Sequence, residues 1–101
     1  MSRVARFQGL VAQDPANKLF RFSLAQALEA TGDPSAENHY RQCVDAQADW
    51  MMPRILLGKW LIAAGRPVEA RPILQNALDL AIAQDHDDPA AELRQLLADL
   101  A

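Results

Sequence analysis

A helical pattern that occurs twice, about 34 residues apart, constrains the fold of this chain more than any other feature. In the second copy, Leu57, Gly58 and Leu61 share one face of a predicted helix, which ends at Gly65. The same face in the first copy, 33 positions earlier, carries Leu24, Ala25, Leu28 and Gly32. After each glycine comes a second apolar stripe, formed by Ala36, Tyr40, Cys43 and Val44 and, 34 positions later, by Ala70, Leu74, Ala77 and Leu78. The sequence therefore predicts two helical hairpins in tandem, as in a repeat array.

The glycine within the second copy indicates where two helices cross. A glycine inside a helix costs about 1 kcal/mol relative to alanine, so its place between Leu57 and Leu61 needs a reason. We attribute Gly58 to the close approach of a neighbouring helix, which a side chain would block. Ala25 at the matching position is also small. It supports the crossing, and it predicts that alanine would be tolerated at position 58.

The spacing of these residues resembles a known family. The second copy reads Arg54-x2-Leu57-Gly58-x2-Leu61 and then Ala70-x3-Leu74; the first reads Arg21-x2-Leu24-Ala25-x2-Leu28 and then Ala36-x3-Tyr40. Both are similar to the tetratricopeptide repeat, whose pattern is W-x2-L-G-x2-Y, then A-x3-F, then P. Arginine replaces the first aromatic residue in both copies, and neither copy has the closing proline at the family's distance. The resemblance covers about residues 15–83 and implies an all-α, right-handed superhelical stack of antiparallel helical hairpins, with about six helices.

The predicted organisation is one domain over residues 1–101. An N-terminal helix occupies residues 1–14, the first repeat 15–48, the second repeat 49–84, and a C-terminal capping helix 85–101. The first helix is interpreted either as the second half of an incomplete hairpin or as a plain cap. The pairs Asp33-Pro34 and Asp88-Pro89 are predicted to cap the third and sixth helices. The sixth helix carries an apolar stripe of Leu93, Leu96, Leu97 and Leu100, with which it is expected to seal the end of the stack.

Charge and composition exclude several classes of protein. The formal net charge is −3, which disfavours a nucleic-acid surface because such surfaces need a basic stripe. The longest apolar runs are too short to span a membrane, and no signal-peptide core is present near the N-terminus. Cys43 is the only cysteine, so an internal disulfide bond is impossible. We therefore expect a cytoplasmic protein with neither nucleic-acid nor membrane partners.

Two groups of residues resemble parts of a metal site or a catalytic site, but a structural role explains both of them better. His39 and Cys43 lie four residues apart on a predicted helix, a spacing that can hold a metal, but further ligands are lacking. The run from Asp85 to Asp88 contains His86, yet it has neither a neighbouring nucleophile nor the ligand spacing of a calcium loop. The interpretation is a small core cysteine near a surface histidine, and a solvated loop. No enzyme, metal or cofactor is predicted.

The two arginines that begin the copies allow two interpretations. Arg21 and Arg54 occupy one repeat position, where they would bind an acidic tail or lay their stems along the core and pair with neighbouring carboxylates. The second interpretation is favoured.

The resemblance further implies a concave groove, lined by the first helix of each hairpin, that binds peptides. The residues it places there are Phe22, Gln26, Glu29, Met52, Ile55, Lys59 and Ile62. The basic and amide residues with which some members grip acidic C-termini are absent from this set, because Phe22 and Ile55 occupy their places. The apolar residues are either peptide anchors or a face covered by the sixth helix, and both alternatives stay open.

The expected function is non-enzymatic protein–protein interaction, with a peptide or helix as the partner. The alternative is a structural role, in which the chain forms a homodimer through a terminal helix, because two repeats are fewer than a stable array usually needs.

Overall fold

The computed structural model describes residues 2–100, which form six α-helices and no β-strand. The helices are α1 (Arg3–Gln13), α2 (Lys18–Ala30), α3 (Ala36–Ala46), α4 (Met51–Ala63), α5 (Pro67–Ala83) and α6 (Asp87–Asp99). The all-α prediction is therefore confirmed. None of the helices within residues 2–100 is both long enough and apolar enough to cross a bilayer.

The chain divides between Ala48 and Asp49 into two compact units. The first unit holds α1, α2 and α3, and the second holds α4, α5 and α6; within each unit, helices that follow one another in sequence pack together. The division falls where the predicted second repeat begins. The superhelical stack and the single domain stay predictions.

The first helix of each hairpin ends in the same way. Gly32 has a φ of 74° and Gly65 a φ of 76°, in the left-handed region that glycine adopts without strain. The amide after each glycine donates a hydrogen bond to the carbonyl of Leu28 (3.0 Å) or Leu61 (2.8 Å). These are the bonds of a Schellman C-cap, so the predicted helix ends are confirmed. At the end of α5, Asp85 takes the glycine position with a φ of 58°.

The predicted N-terminal caps are wrong at both helices. The third helix, α3, begins at Ala36, and Ser35 takes the cap position without a side-chain bond, so Asp33 and Pro34 precede the helix. Asp33 nevertheless accepts a hydrogen bond from the Ser35 amide at 2.9 Å, and this bond lowers the Asp33 pKa. Similarly, α6 begins at Asp87, so Asp88 and Pro89 belong to its first turn. His86 takes the cap position without a side-chain bond. A proline is tolerated in a first turn, because the amides there have no partner within the helix.

Gly58 lies where α4 crosses α5, as the sequence predicts. A Cβ atom built on Gly58 would stand 2.3 Å from Leu74 Cδ2 and 2.6 Å from Leu74 Cγ. Leu74 is completely buried, so it has little room to retreat. This geometry disfavours the expectation that alanine is tolerated here as it is at Ala25. In the first copy, the position of Leu74 is taken by Tyr40. Ala25 and position 58 therefore have different residues at the matching position of the next helix.

The sixth helix contributes to the core of the second unit. Leu93 is completely buried and Ala90 nearly so, whereas Leu96, Leu97 and Leu100 are half-buried. At the far end of α6, the Arg71 guanidinium of α5 donates a hydrogen bond to the Leu100 carbonyl. Full burial of one leucine stabilises a fold by about 1.5–3 kcal/mol, so Leu93 alone is a substantial part of this packing.

Candidate functional site

A pocket of about 270 Å³ lies between α4 and the N-terminal part of α6, within the second unit. The wall from α4 is apolar except for one lysine, and the wall from α6 carries two carboxylates around a proline. The lining residues are Met52, Ile55, Leu56, Lys59, Asp88, Pro89 and Glu92. The pocket therefore combines a large apolar surface with a charged rim.

An ion pair closes one side of the pocket. Lys59 Nζ lies 2.5 Å from Glu92 Oε1, and the two side chains are 42% and 51% exposed. Exposed pairs of this kind contribute about 0–1 kcal/mol to stability, because water screens them. Within this pair, Glu92 neutralises the positive charge of Lys59. Asp88 also lines the pocket, and it adds a negative charge that Lys59 does not offset.

Three of the predicted groove residues meet at this pocket. Met52 is 42% exposed and Lys59 is exposed at the rim, whereas Ile55 is only 5% exposed. The burial of Ile55 favours the alternative in which this face is partly covered, and α6 supplies the opposite wall. Ile62, also of α4, is half-buried and does not line the pocket.

The predicted groove residues of the first unit have other surroundings. Phe22 is half-buried, and its ring meets the Tyr40 ring edge-on, with centroids 6.3 Å apart. The Tyr40 hydroxyl donates a hydrogen bond of 2.6 Å to the Glu29 carboxylate. Burial of Tyr40 is the larger cause that raises its pKa, and the bond to Glu29 is the next. Gln26 is exposed. Phe22 and Ile55 are 33 residues apart, so the repeat resemblance predicts that they lie side by side on adjacent first helices, and this placement stays a prediction.

The carboxylates and the proline on the α6 wall were missed by the sequence analysis. A signal for them exists, since Glu92 follows Lys59 by 33 residues and Asp88 follows Ile55 by 33, the spacing between the two arginines that begin the copies. Applying the repeat period once more, beyond the second copy, would have pointed to Asp88 and Glu92.

His39 and Cys43 have surroundings that keep the imidazole neutral and the thiol protonated. The Arg21 guanidinium lies 3.2 Å from His39 Nδ1. Because a guanidinium only donates hydrogen bonds, Nδ1 must accept, and the ring carries its proton on Nε2. Burial, and secondarily the Arg21 charge, lower the His39 pKa, so the imidazole is neutral at pH 7. Burial raises the pKa of the Cys43 thiol to about 11, so the thiol stays protonated.

Metal ligation finds no support in these surroundings. Within residues 2–100, no group of three or more histidine, cysteine, aspartate or glutamate side chains lies in an arrangement that would hold a metal ion. The run from Asp85 to Asp88 is exposed throughout, and its last two residues lie in the first turn of α6. Carboxylates in a first turn stabilise a helix through its dipole by about 0.3–1 kcal/mol each.

The two repeated arginines are embedded in the fold. Arg54 is only 9% exposed and donates a hydrogen bond of 2.7 Å to the Trp50 carbonyl. Arg21 is half-buried and also donates to the Pro15 carbonyl at 3.4 Å. These contacts favour the structural interpretation over binding of an acidic tail.

Comparison of the chain with family models, with curated proteins and with solved structures finds no match. The family resemblance therefore depends on the repeated residues alone.

Proposed function

We propose that this chain is a non-enzymatic protein-interaction domain of the tetratricopeptide type, stacked as a right-handed superhelix and located in the cytoplasm. Its partner places one apolar side chain of a peptide or helix in the pocket between α4 and α6. The single observation that carries the proposal is this pocket, which has an apolar wall, an exposed methionine and a charged rim.

The size of the pocket supports a side chain as its occupant. Sites for small molecules span about 300–1,000 Å³ and enclose most of the ligand. At about 270 Å³, this pocket lies at the lower limit of that range, so it has room for an apolar side chain of a partner. Met52 borders it with an unbranched, flexible side chain, which adapts to partners of different shape. The pocket therefore suits an apolar peptide anchor.

Among the residues that line the pocket, Met52 is a better position than Ile55 for testing the binding surface. A substitution at Ile55 would alter the core as well as the surface, because Ile55 is 5% exposed. Met52 is 42% exposed and can be changed without burying a charge. The same holds for Ile82, an apolar residue of α5 that is 51% exposed and does not line the pocket. These two residues make a matched pair for testing the site.

The test uses two pools of synthetic twelve-residue peptides, with leucine or with serine fixed at the centre and all other positions varied. We expect the immobilised parent protein to retain the leucine pool over the serine pool. Met52→Asp should lose this preference, and Ile82→Asp should keep it. Equal retention of the two pools by the parent, or equal loss in both variants, would exclude the pocket as the binding site. Circular dichroism of each variant confirms its helical content.

Self-assembly is the second candidate, and one observation favours it. None of the eleven residues of α1 is buried, although Val4, Phe7 and Leu10 share one of its faces and are half-buried. Leu19, at the start of α2, is 61% exposed. Light scattering across a hundredfold range of concentration tests this candidate. A dimer mass that Leu19→Glu reduces to a monomer would support it, and a constant monomer mass would exclude it.

A further inference from the structure

We propose that the partner segment is basic: it places an apolar side chain in the pocket between α4 and α6 and presents lysine or arginine to the carboxylates of α6. This inference depends on the function proposed above and specifies the chemistry of the partner. It follows from the charges around the pocket and from which of them are already paired.

The only cation that lines the pocket within the described chain is paired inside the protein. Lys59 forms an ion pair with Glu92, so a carboxylate from a partner would have to compete with Glu92 for it. Asp88 stands on the same wall as Glu92, and the exposed Asp87 precedes it in the first turn of α6. Since Glu92 is offset by Lys59, Asp87 and Asp88 remain, and their two negative charges exceed the roughly half positive charge of a helix N-terminus. The rim therefore has a net negative charge and repels an acidic partner.

The negative charges lie on one side of the pocket, and this arrangement determines which kind of segment fits it. Met52, Ile55 and Leu56 form the α4 wall, and Asp88 and Glu92 flank Pro89 on the α6 wall. A segment that lies along the pocket meets an apolar surface on one side and carboxylates on the other. An amphipathic segment, with a leucine-like anchor and arginine or lysine within one helical turn of it, satisfies both sides.

The experiment compares three defined peptides by fluorescence anisotropy. Each has twelve residues and a central leucine, and the four flanking charged positions hold arginine, glutamine or glutamate. We expect the arginine peptide to bind at least about fivefold more tightly than the glutamine peptide, and more weakly as salt rises, because rim charges are screened. The glutamate peptide should bind most weakly. A fourth peptide, with the arginines retained and serine in place of leucine, should lose binding.

Charge reversal on the protein gives a second readout. Glu92→Lys should reverse the preference between the arginine and glutamate peptides, and Asp88→Asn should reduce it. Asp79→Lys is the matched control, since Asp79 is an exposed carboxylate of α5 that does not line the pocket, and it should leave the preference unchanged. Circular dichroism verifies that the three variants are folded.

The outcomes separate this inference from the proposed function. If all three leucine peptides bind equally, or if the glutamate peptide binds most tightly, the basic partner is wrong and the apolar pocket remains the site. If Asp79→Lys reverses the preference as Glu92→Lys does, attraction by the net charge explains the binding and the inference is overturned. If no leucine peptide binds, both the inference and the proposed function fail.

Discussion

The crossing at Gly58 makes the sharpest prediction about stability. Nonbonded carbon atoms pack at about 3.5–4.0 Å, whereas a Cβ atom at position 58 would stand 2.3 Å and 2.6 Å from two carbons of Leu74. Leu74 must therefore shift by about 1 Å or more. It is completely buried, and one of the two clashing atoms is its branch carbon rather than a methyl end. Gly58→Ala should consequently strain the core of the second unit.

The size of the effect is the difference between two terms. Overpacking of a core costs up to about 3 kcal/mol, and replacing a helical glycine with alanine recovers about 1 kcal/mol. Gly58→Ala should therefore destabilise the fold by up to about 2 kcal/mol. Gly9 is the matched control, because it also lies inside a helix and a Cβ atom built on it meets nothing within 4 Å. Gly9→Ala should stabilise by up to about 1 kcal/mol.

Urea unfolding followed by two probes tests this prediction. Both tryptophans, Trp50 and Trp60, belong to the second unit, so their fluorescence reports on that unit, and circular dichroism reports on all helices. Gly58→Ala should move the tryptophan transition to lower urea concentration. In a double-mutant cycle, Leu74→Ala should cost less in the Gly58→Ala protein than in the parent, because the clash is relieved. A Gly58→Ala protein as stable as Gly9→Ala would refute the close crossing.

Three further changes have expected outcomes. Asp85→Gly should raise the melting temperature, because it relieves a left-handed backbone that costs a residue with a Cβ atom about 1 kcal/mol; a lower melting temperature would contradict the cap. The lowered His39 pKa means that the unfolded chain binds more protons below pH 6.5, so stability should fall as the pH drops through that value. His39→Gln should flatten this dependence in urea titrations from pH 8 to 5, and an unchanged slope would assign it to other groups. Leu93→Ala should cost about 2–5 kcal/mol by calorimetry, against less than about 0.5 kcal/mol for the 85%-exposed Val68→Ala; equal effects would show that α6 is not part of the core.

The helices and their ends were largely predictable because local chemistry determines them. The glycines at positions 32 and 65 end α2 and α4 as expected, since the left-handed conformation favours that residue type. The start of α6 was misplaced because Asp88 and Pro89 fit two positions of a first turn equally well. The cost of alanine at position 58 depends on Leu74 across the crossing, which no local pattern reports.

The candidate site was predicted on one wall only, although the repeat period, extended to α6, also points to Asp88 and Glu92. The resemblance to the tetratricopeptide repeat places Met52, Ile55 and Lys59 on the groove face of the helix that is α4, and all three line the pocket. Their exposure does not follow from it, because the burial of Ile55 depends on residues distant in sequence. The ion pair with Glu92 likewise needs the placement of α6 against α4, which local sequence patterns do not determine.

The most direct test of the proposed binding site uses the methionine methyl groups. The chain has three methionines, so selective 13C labelling gives three methyl signals, which Met51→Leu and Met52→Leu assign. Met52 is 42% exposed beside the pocket, and the neighbouring Met51 is only 8% exposed and does not line it. On addition of the arginine peptide with the central leucine, we expect the Met52 signal to shift and saturate, whereas the Met51 signal stays in place. A peptide that binds without moving the Met52 signal would show that the pocket is not the binding site.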